Sequence, residues 1–260
     1  MKTLAASLSI LTQQGVMLYL LRGVAFTCII SVLGVILGLI VGSLLALART
    51  YCKHGPARVL GWLSAAYIEL FRNTPYLLWI FVCVVFCPCP AFFARKMFGL
   101  TSVEMKLLFK AALALILFNS SVIAEIVRGG LNGVSKGQFE AAHSIGMSHT
   151  QTMRSIILPQ VIRNILPATG NEFVINIKDT SVLNVISVSE LFFQSKTIAA
   201  NNYRYFEVFF VTCVLYFIMT FTITRILRLI ERKMDGKETY TIHGSQTALE
   251  GEIKVVKKND

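Results

Sequence analysis

A chain of 260 residues would suit one or two soluble domains, but 55% hydrophobic against 15% charged, with mean hydropathy +0.64, is too apolar for water. Lys and Arg outnumber Asp and Glu by 25 to 14, a net +11. In so apolar a chain this surplus does not require nucleic acid, because the cytoplasmic loops of membrane proteins collect bases.

Residues 23–47 carry no charge and, as a helix, exceed the roughly 20 residues needed to cross a bilayer. Arg49, Lys53 and Arg58 follow where a signal peptide would have its small-residue cleavage site, so this reads as a retained first span. Gly34, Gly38 and Gly42 on it form two small-xxx-small steps that let another helix approach closely. A second apolar region, 60–86, is interrupted by Glu69, Arg72 and Pro75 and is either one broken helix or two short ones. Further spans are expected around 111–124 and 208–224, with a more polar one at 161–191 that contains Arg163, Glu172, Lys178 and Asp179.

Five crossings put the termini on opposite sides of the membrane. With the N-terminus outside, twelve bases fall on inner segments and eight on outer ones, with three more in the tail, which favours N-out and C-in. The fold class expected is therefore an all-α integral membrane protein with about five transmembrane helices. The parts are an outer N-terminal segment 1–22, a transmembrane domain 23–233 and a cytoplasmic polar tail 234–260.

Chemistry-bearing sets do not assemble. The six cysteines read as small apolar residues, and no bridge is expected between Cys87 and Cys89, because a single residue between them would leave it strained. Gly133-Val134-Ser135-Lys136-Gly137 fits a nucleophile elbow in spelling but lacks the preceding strand. The four histidines show no metal-ligand spacing, and no phosphate-binding loop occurs, since Gly236-Lys237 is followed by Glu238. If ATP drives this protein, another chain binds it.

The loop 128–160, on the basic side between spans three and four, is rich in helix punctuation. Ser135 with Gln138 and Ser148 with Gln151 fit capping boxes, Gly146 suits a left-handed helix stop, and Pro159 is expected to limit the second helix. Helix, glycine turn, helix reads as a docking lever, with Ala141 and Ala142 keeping its surface shallow and Phe139 and Ile145 as anchors. The competing reading is an amphipathic helix lying on lipid.

Glu140-Ala141-Ala142, then Gly146, then Ile157-Leu158-Pro159 resembles the EAA loop of ABC importer permeases, whose coupling helix docks onto a cytoplasmic ATPase subunit. Phe71-Arg72-Asn73-Thr74-Pro75, Ala124-Glu125-Ile126-Val127-Arg128-Gly129-Gly130, Leu166-Pro167-Ala168-Thr169-Gly170-Asn171 and Lys178-Asp179-Thr180-Ser181 are similar, in order and spacing, to motifs of the polar amino-acid branch. The blocks cover roughly 23–233, and 188–219 looks most like glutamine-type and glutamate-type permeases. Asn73 stands where the family usually has Gly, which implies a looser break in span two.

The resemblance implies a permease subunit in a bacterial inner membrane that is not itself an enzyme. It implies a second permease subunit, identical or paralogous, two ATPase subunits that bind ATP and Mg, an external substrate-binding protein, and no cofactor or metal in this chain. Phe139, Glu140, Ala141, Ala142, Ile145, Gly146, Leu158 and Pro159 would form the ATPase-coupling loop. Arg72, Thr74, Glu125, Lys178, Asp179, Thr180 and Ser181 are the candidate substrate pathway, since charge at membrane depth normally faces a cavity or a partner. The bland alternative pairs Glu69 with Arg72, three apart on a helix, and puts Lys178 and Asp179 at the membrane edge. The same transport role for a basic amino acid or cystine stays open, as does a secondary transporter running on an ion gradient, although that class is built from two similar halves.

Overall fold

The computed structural model describes residues 9–11, 13, 15–95 and 100–235. Residues 1–8, Lys96 and the tail from 236 onward, with the expectations placed on them, lie outside these. The described residues form helices only: α1 (Val16–Tyr51), α2 (Arg58–Arg72), α3 (Tyr76–Phe86), α4 (Ser102–Asn132), α5 (Lys136–Ser144), α6 (His149–Thr152), α7 (Leu158–Asp179), α8 (Leu191–Asn202) and α9 (Tyr205–Asp235). Short 3-10 segments fill Ala91–Ala94 and Thr180–Ile186, and a π turn fills Met153–Ile157.

The organising contact is α1 against α4. Gly23, Thr27, Ser31, Gly34, Gly38, Gly42 and Ala46 lie buried along α1 at helical spacing, while Leu18, Ile29, Ile36, Ile40 and Leu44 point outward. Small residues inside and large apolar ones outside is the pattern of a helix whose solvent is lipid. A Cβ on Gly42 would stand 2.7 Å from the Ser120 carbonyl oxygen, and one on Gly38 3.0 Å from Asn119 Cβ. The glycine steps therefore set the α1–α4 distance. Gly23 does the same against α8, where a Cβ would meet Leu191 Cα at 2.7 Å.

α1, α4 and α9 are each long and apolar enough to cross a membrane. The α2–α3 pair passes the same test as one broken span, bent by 110° at its break. By length and composition the described residues hold three to four candidate spans. The expected span at 161–191 does not pass, because its four charges sit in or beside α7 and the helix ends at Asp179, continuing only as the 3-10 turns to Ile186.

Two local expectations need correction. The break after α2 is sharp, not loose: Asn73 has φ −94°, where no glycine is required, and its amide donates to the Glu69 carbonyl at 2.9 Å and to Glu69 Oε2 at 3.1 Å. Pro159 does not stop its helix. The preceding π turn, closed by Leu158 N–H to the Met153 carbonyl, shifts the hydrogen-bond register, and Pro159 then sits in the first turn of α7, where its missing donor costs nothing.

Candidate functional site

The loop between α4 and α7 folds as the punctuation predicts in outline. Ser148 and Gln151 form a reciprocal capping box, with Oγ accepting from Gln151 N–H at 3.4 Å and Oε1 from Ser148 N–H at 2.9 Å. Ser135 caps α5, but its hydroxyl accepts from Gly137 N–H at 3.3 Å instead of closing a box with Gln138. Gly146 has φ +81°, the left-handed conformation that turns the chain from α5 to α6.

Orientation divides the loop residues into two sets. Glu140, Ala141, Ile145 and Gly146 are exposed, Ile145 at 77%. Ala142 is buried, and Phe139 packs with Val134, Ile157 and Val161. Phe139 is therefore an anchor into the protein's own core rather than toward a partner, because the turn of α5 that presents Glu140 outward points positions 139 and 142 back at α7. Leu158 is exposed and Pro159 lies in the first turn of α7. Tyr51 at the end of α1 reaches over to Met153 Sδ at 3.9 Å.

Beneath this loop three helices meet at one carboxylate. Glu125 of α4 pairs with Arg49 of α1, with Arg128 one turn on, and with Arg72 at the end of α2. Arg128 holds Glu125 Oε2 from both Nε, at 3.1 Å, and Nη2, at 2.6 Å, while Arg72 Nη1 stands 3.8 Å away. Glu69 pairs with Arg49 at 3.5 Å, so the expected Glu69–Arg72 pair is replaced by one in which each residue reaches another helix. Three guanidiniums against two carboxylates leave the cluster with one positive charge to spare. Thr74, at the break beside it, donates to the Leu70 carbonyl at 2.6 Å and accepts from Trp79 Nε1 at 2.7 Å, which ties the two sides of the bend.

The stretch from Lys178 to Ser181 lies elsewhere, where α7 gives way to the 3-10 segment. A cavity of about 320 Å³ is lined by Lys178, Ser181, Phe192, Phe209, Thr212, Cys213 and Tyr216. Its walls are largely apolar and aromatic, with one ammonium and three hydroxyls, of which Thr212 already donates to Ser195 Oγ and the Val208 carbonyl and Tyr216 to Glu190. Thr180 does not offer its hydroxyl: it is fully buried and donates to the Ile177 carbonyl at 2.8 Å. Asp179 is half-buried. The structure thus places Lys178 and Ser181, but not Asp179 or Thr180, on the wall of one cavity and gathers Arg72 with Glu125 in a second group.

Sequence reasoning missed a third polar group. Glu190, fully buried, caps α8 by accepting from Phe192 N–H at 2.8 Å and Phe193 N–H at 2.7 Å, and Tyr216 of α9 donates to it at 3.1 Å. Thr27 of α1 accepts from Leu191 N–H at 3.2 Å beside it. The available signal was an acid directly before a helix-compatible run, the position where a carboxylate satisfies otherwise orphaned N–H groups. Asn119 of α4 likewise donates to Asn176 Oδ1 of α7 at 2.7 Å, both buried, in a pairing that no spacing announces.

With this geometry in view, the likenesses to known proteins become informative. Residues 34–236 match the family described as binding-protein-dependent transport system inner membrane component. The chain is 38% identical over 221 residues to the glutamine transport system permease protein GlnP of Escherichia coli K12, covering 83% of this chain and 92% of that protein. It is 36% identical over 217 residues to the probable amino-acid permease protein YxeN of Bacillus subtilis 168, covering 83% and 91%. A crystal structure of an amino acid ABC transporter with histidines superposes with TM-score 0.69 at 32% identity, covering 83% of this chain and 94% of that one. An inward-facing MetNI methionine ABC transporter shares the fold at TM-score 0.62 and 22% identity, covering 86% and 99%. The chain therefore belongs to the binding-protein-dependent transport system inner membrane components, and its place is a bacterial inner membrane.

Proposed function

We propose that this chain is the membrane-spanning permease subunit of an ATP-driven ABC importer for a polar amino acid, glutamine or glutamate. The observation that carries the reading is the exposed knuckle Glu140, Ala141, Ile145 and Gly146, presented by a capped helix and a left-handed turn between α4 and α7 in a chain 38% identical to a glutamine permease. The knuckle is the surface that an ATPase subunit takes up. The chain itself transports and does not hydrolyse ATP; ATP and Mg belong to that subunit.

In this reading the helices make five crossings with the N-terminus outside and the C-terminus in the cytoplasm, α7 and its 3-10 extension forming the fourth. The permease domain is 23–233 with its coupling loop at 128–160, and 234–260 is a cytoplasmic tail. A second permease subunit completes the passage, two ATPase subunits dock below, and a binding protein delivers substrate from outside. Lys178 and Ser181 meet the amino acid at the cavity, with Asp179 nearby for its ammonium group; Thr180 holds the segment in shape. Thr74 fixes the bend beside the passage, and Arg72 and Glu125 act at its cytoplasmic end.

A second substrate reading has its own support, since the 32%-identical transporter structure was solved with histidines and the arginine transport system permease protein ArtQ of Bacillus subtilis is 29% identical. The test for both is uptake. The chain, assembled with its ATPase and binding protein in liposomes, is expected to accumulate glutamine or glutamate from an amino-acid panel only when ATP is supplied on the ATPase side. Preference for histidine or arginine would move the substrate class, and accumulation that follows an imposed ion gradient and ignores ATP would sink the importer reading.

A further inference from the structure

Arg72 stands midway along a continuous line of contacts. Glu125 lies about two turns before α4 ends at Asn132, and only residues 133–135 separate that end from α5. Arg72 is the last residue of α2, and the chain then bends by 110° before α3 begins at Tyr76. Tyr76 and Ile80 of α3 pack in the same cluster as Val182 and Leu183, in the 3-10 segment that begins at Thr180. A path therefore runs from the coupling loop along α4, through Glu125 and Arg72, across the bend and into the segment beside the cavity.

The three arginines on Glu125 are not equivalent. Arg128 is held by two nitrogens, and Arg49 is the most enclosed, its side chain 26% exposed. Arg72 is 49% exposed and, at 3.8 Å, the most distant. An exposed pair at that separation is weak and readily screened, whereas a bidentate one is firm.

We infer that Arg72–Glu125 is a releasable joint through which movement of the coupling loop is passed to the bent α2–α3 pair and on to Thr180–Ile186. Arg49 and Arg128 hold the carboxylate in place, and Arg72 is the arm that engages and lets go. This rests on the importer reading above and adds to it a positioning residue outside the cavity, one that acts through the bend rather than on substrate.

The test uses the whole complex in liposomes, with ATP hydrolysis and uptake measured together. Wild-type uptake that requires ATP establishes the importer reading independently of the joint; without it, that reading fails first. Given it, Arg72→Gln is expected to assemble and hydrolyse ATP while uptake per ATP falls about five-fold or more, the lower end of ordinary coupling between sites. Arg72→Lys, which keeps the charge, is expected to restore most of the ratio. An unchanged ratio in Arg72→Gln overturns the joint. If Arg72→Gln does not assemble, the wild-type ratio read against ionic strength on the ATPase side decides: a fall as salt screens the exposed pair supports the joint, and a flat response overturns it.

Discussion

Replacing Gly42 with Ala adds one methyl group to a helix, which in isolation would be favourable by about 1 kcal/mol because glycine is a poor helix former. Here the added carbon would lie 2.7 Å from the Ser120 carbonyl oxygen, 3.0 Å from Ala124 N and 3.1 Å from Ile123 Cβ. Ordinary contact begins near 3.4 Å, so α1 and α4 must part by several tenths of an ångström, and the nearest two atoms are backbone that cannot rotate aside. Overpacking of this kind costs about 1–3 kcal/mol, and the absence of a flexible neighbour argues for the upper end. After the helix gain is subtracted, roughly 2 kcal/mol of destabilisation remains, or a melting temperature lowered by about 4–8 °C for a chain of this size. Gly129→Ala is the matched control: it is also helical, but a Cβ there meets nothing within 4 Å, so it should hold or raise the melting temperature. Both variants are purified in the same detergent or nanodisc and melted side by side. A Gly42→Ala protein as stable as Gly129→Ala would refute the claim that the glycine steps set the α1–α4 distance.

Glu190→Ala removes the acceptor for Phe192 N–H, Phe193 N–H and the Tyr216 hydroxyl in a fully buried place, and should cost about 3 kcal/mol or more in thermal stability, with Glu190→Gln recovering part of it. A melting curve unchanged in Glu190→Ala would mean that the cap is not formed. Ile145→Asp alters a residue 77% exposed, so the melting temperature should stay within about 1 °C while co-purification of the ATPase subunit and ATP-driven uptake are lost. Retained uptake in that variant would remove the knuckle from the coupling surface.

Much of the fold was legible because lipid simplifies the sequence code. Stretches without charge mark α1, α4 and α9, and the glycine spacing on α1 marks its packing face before any partner is known. The turns of the loop between α4 and α7 were equally readable: Gly146 and the Ser148–Gln151 box act within a few residues, so their consequences are local. Pro159 was misread because its effect depends on the hydrogen-bond register of the preceding turn. A π turn changes that register, and nothing in the spelling of Met153–Ile157 advertises one. The polar character of α7 sets it apart from the other expected spans: packed against α1, α4 and α9, it buries Glu172 and Asn176, which lipid would reject.

The charges illustrate where such reading ends. Their distribution along the chain is a one-dimensional property, and it gave the orientation argument directly. Their pairing is three-dimensional: Arg49 and Glu125 lie 76 residues apart, and the close approach allowed by Gly42 and Ala46 brings the end of α1 beside the C-terminal part of α4. Helical spacing favoured Glu69 with Arg72, three residues apart, but an i,i+3 pair on an exposed turn contributes only a few tenths of a kcal/mol and is easily outbid by a half-buried carboxylate that already holds two other guanidiniums. Glu125 therefore collects Arg72 for the same reason that the glycines collect α4. Close helix packing creates a partly dry place at the end of the bundle, and the charges rearrange around the one acid that is inside it.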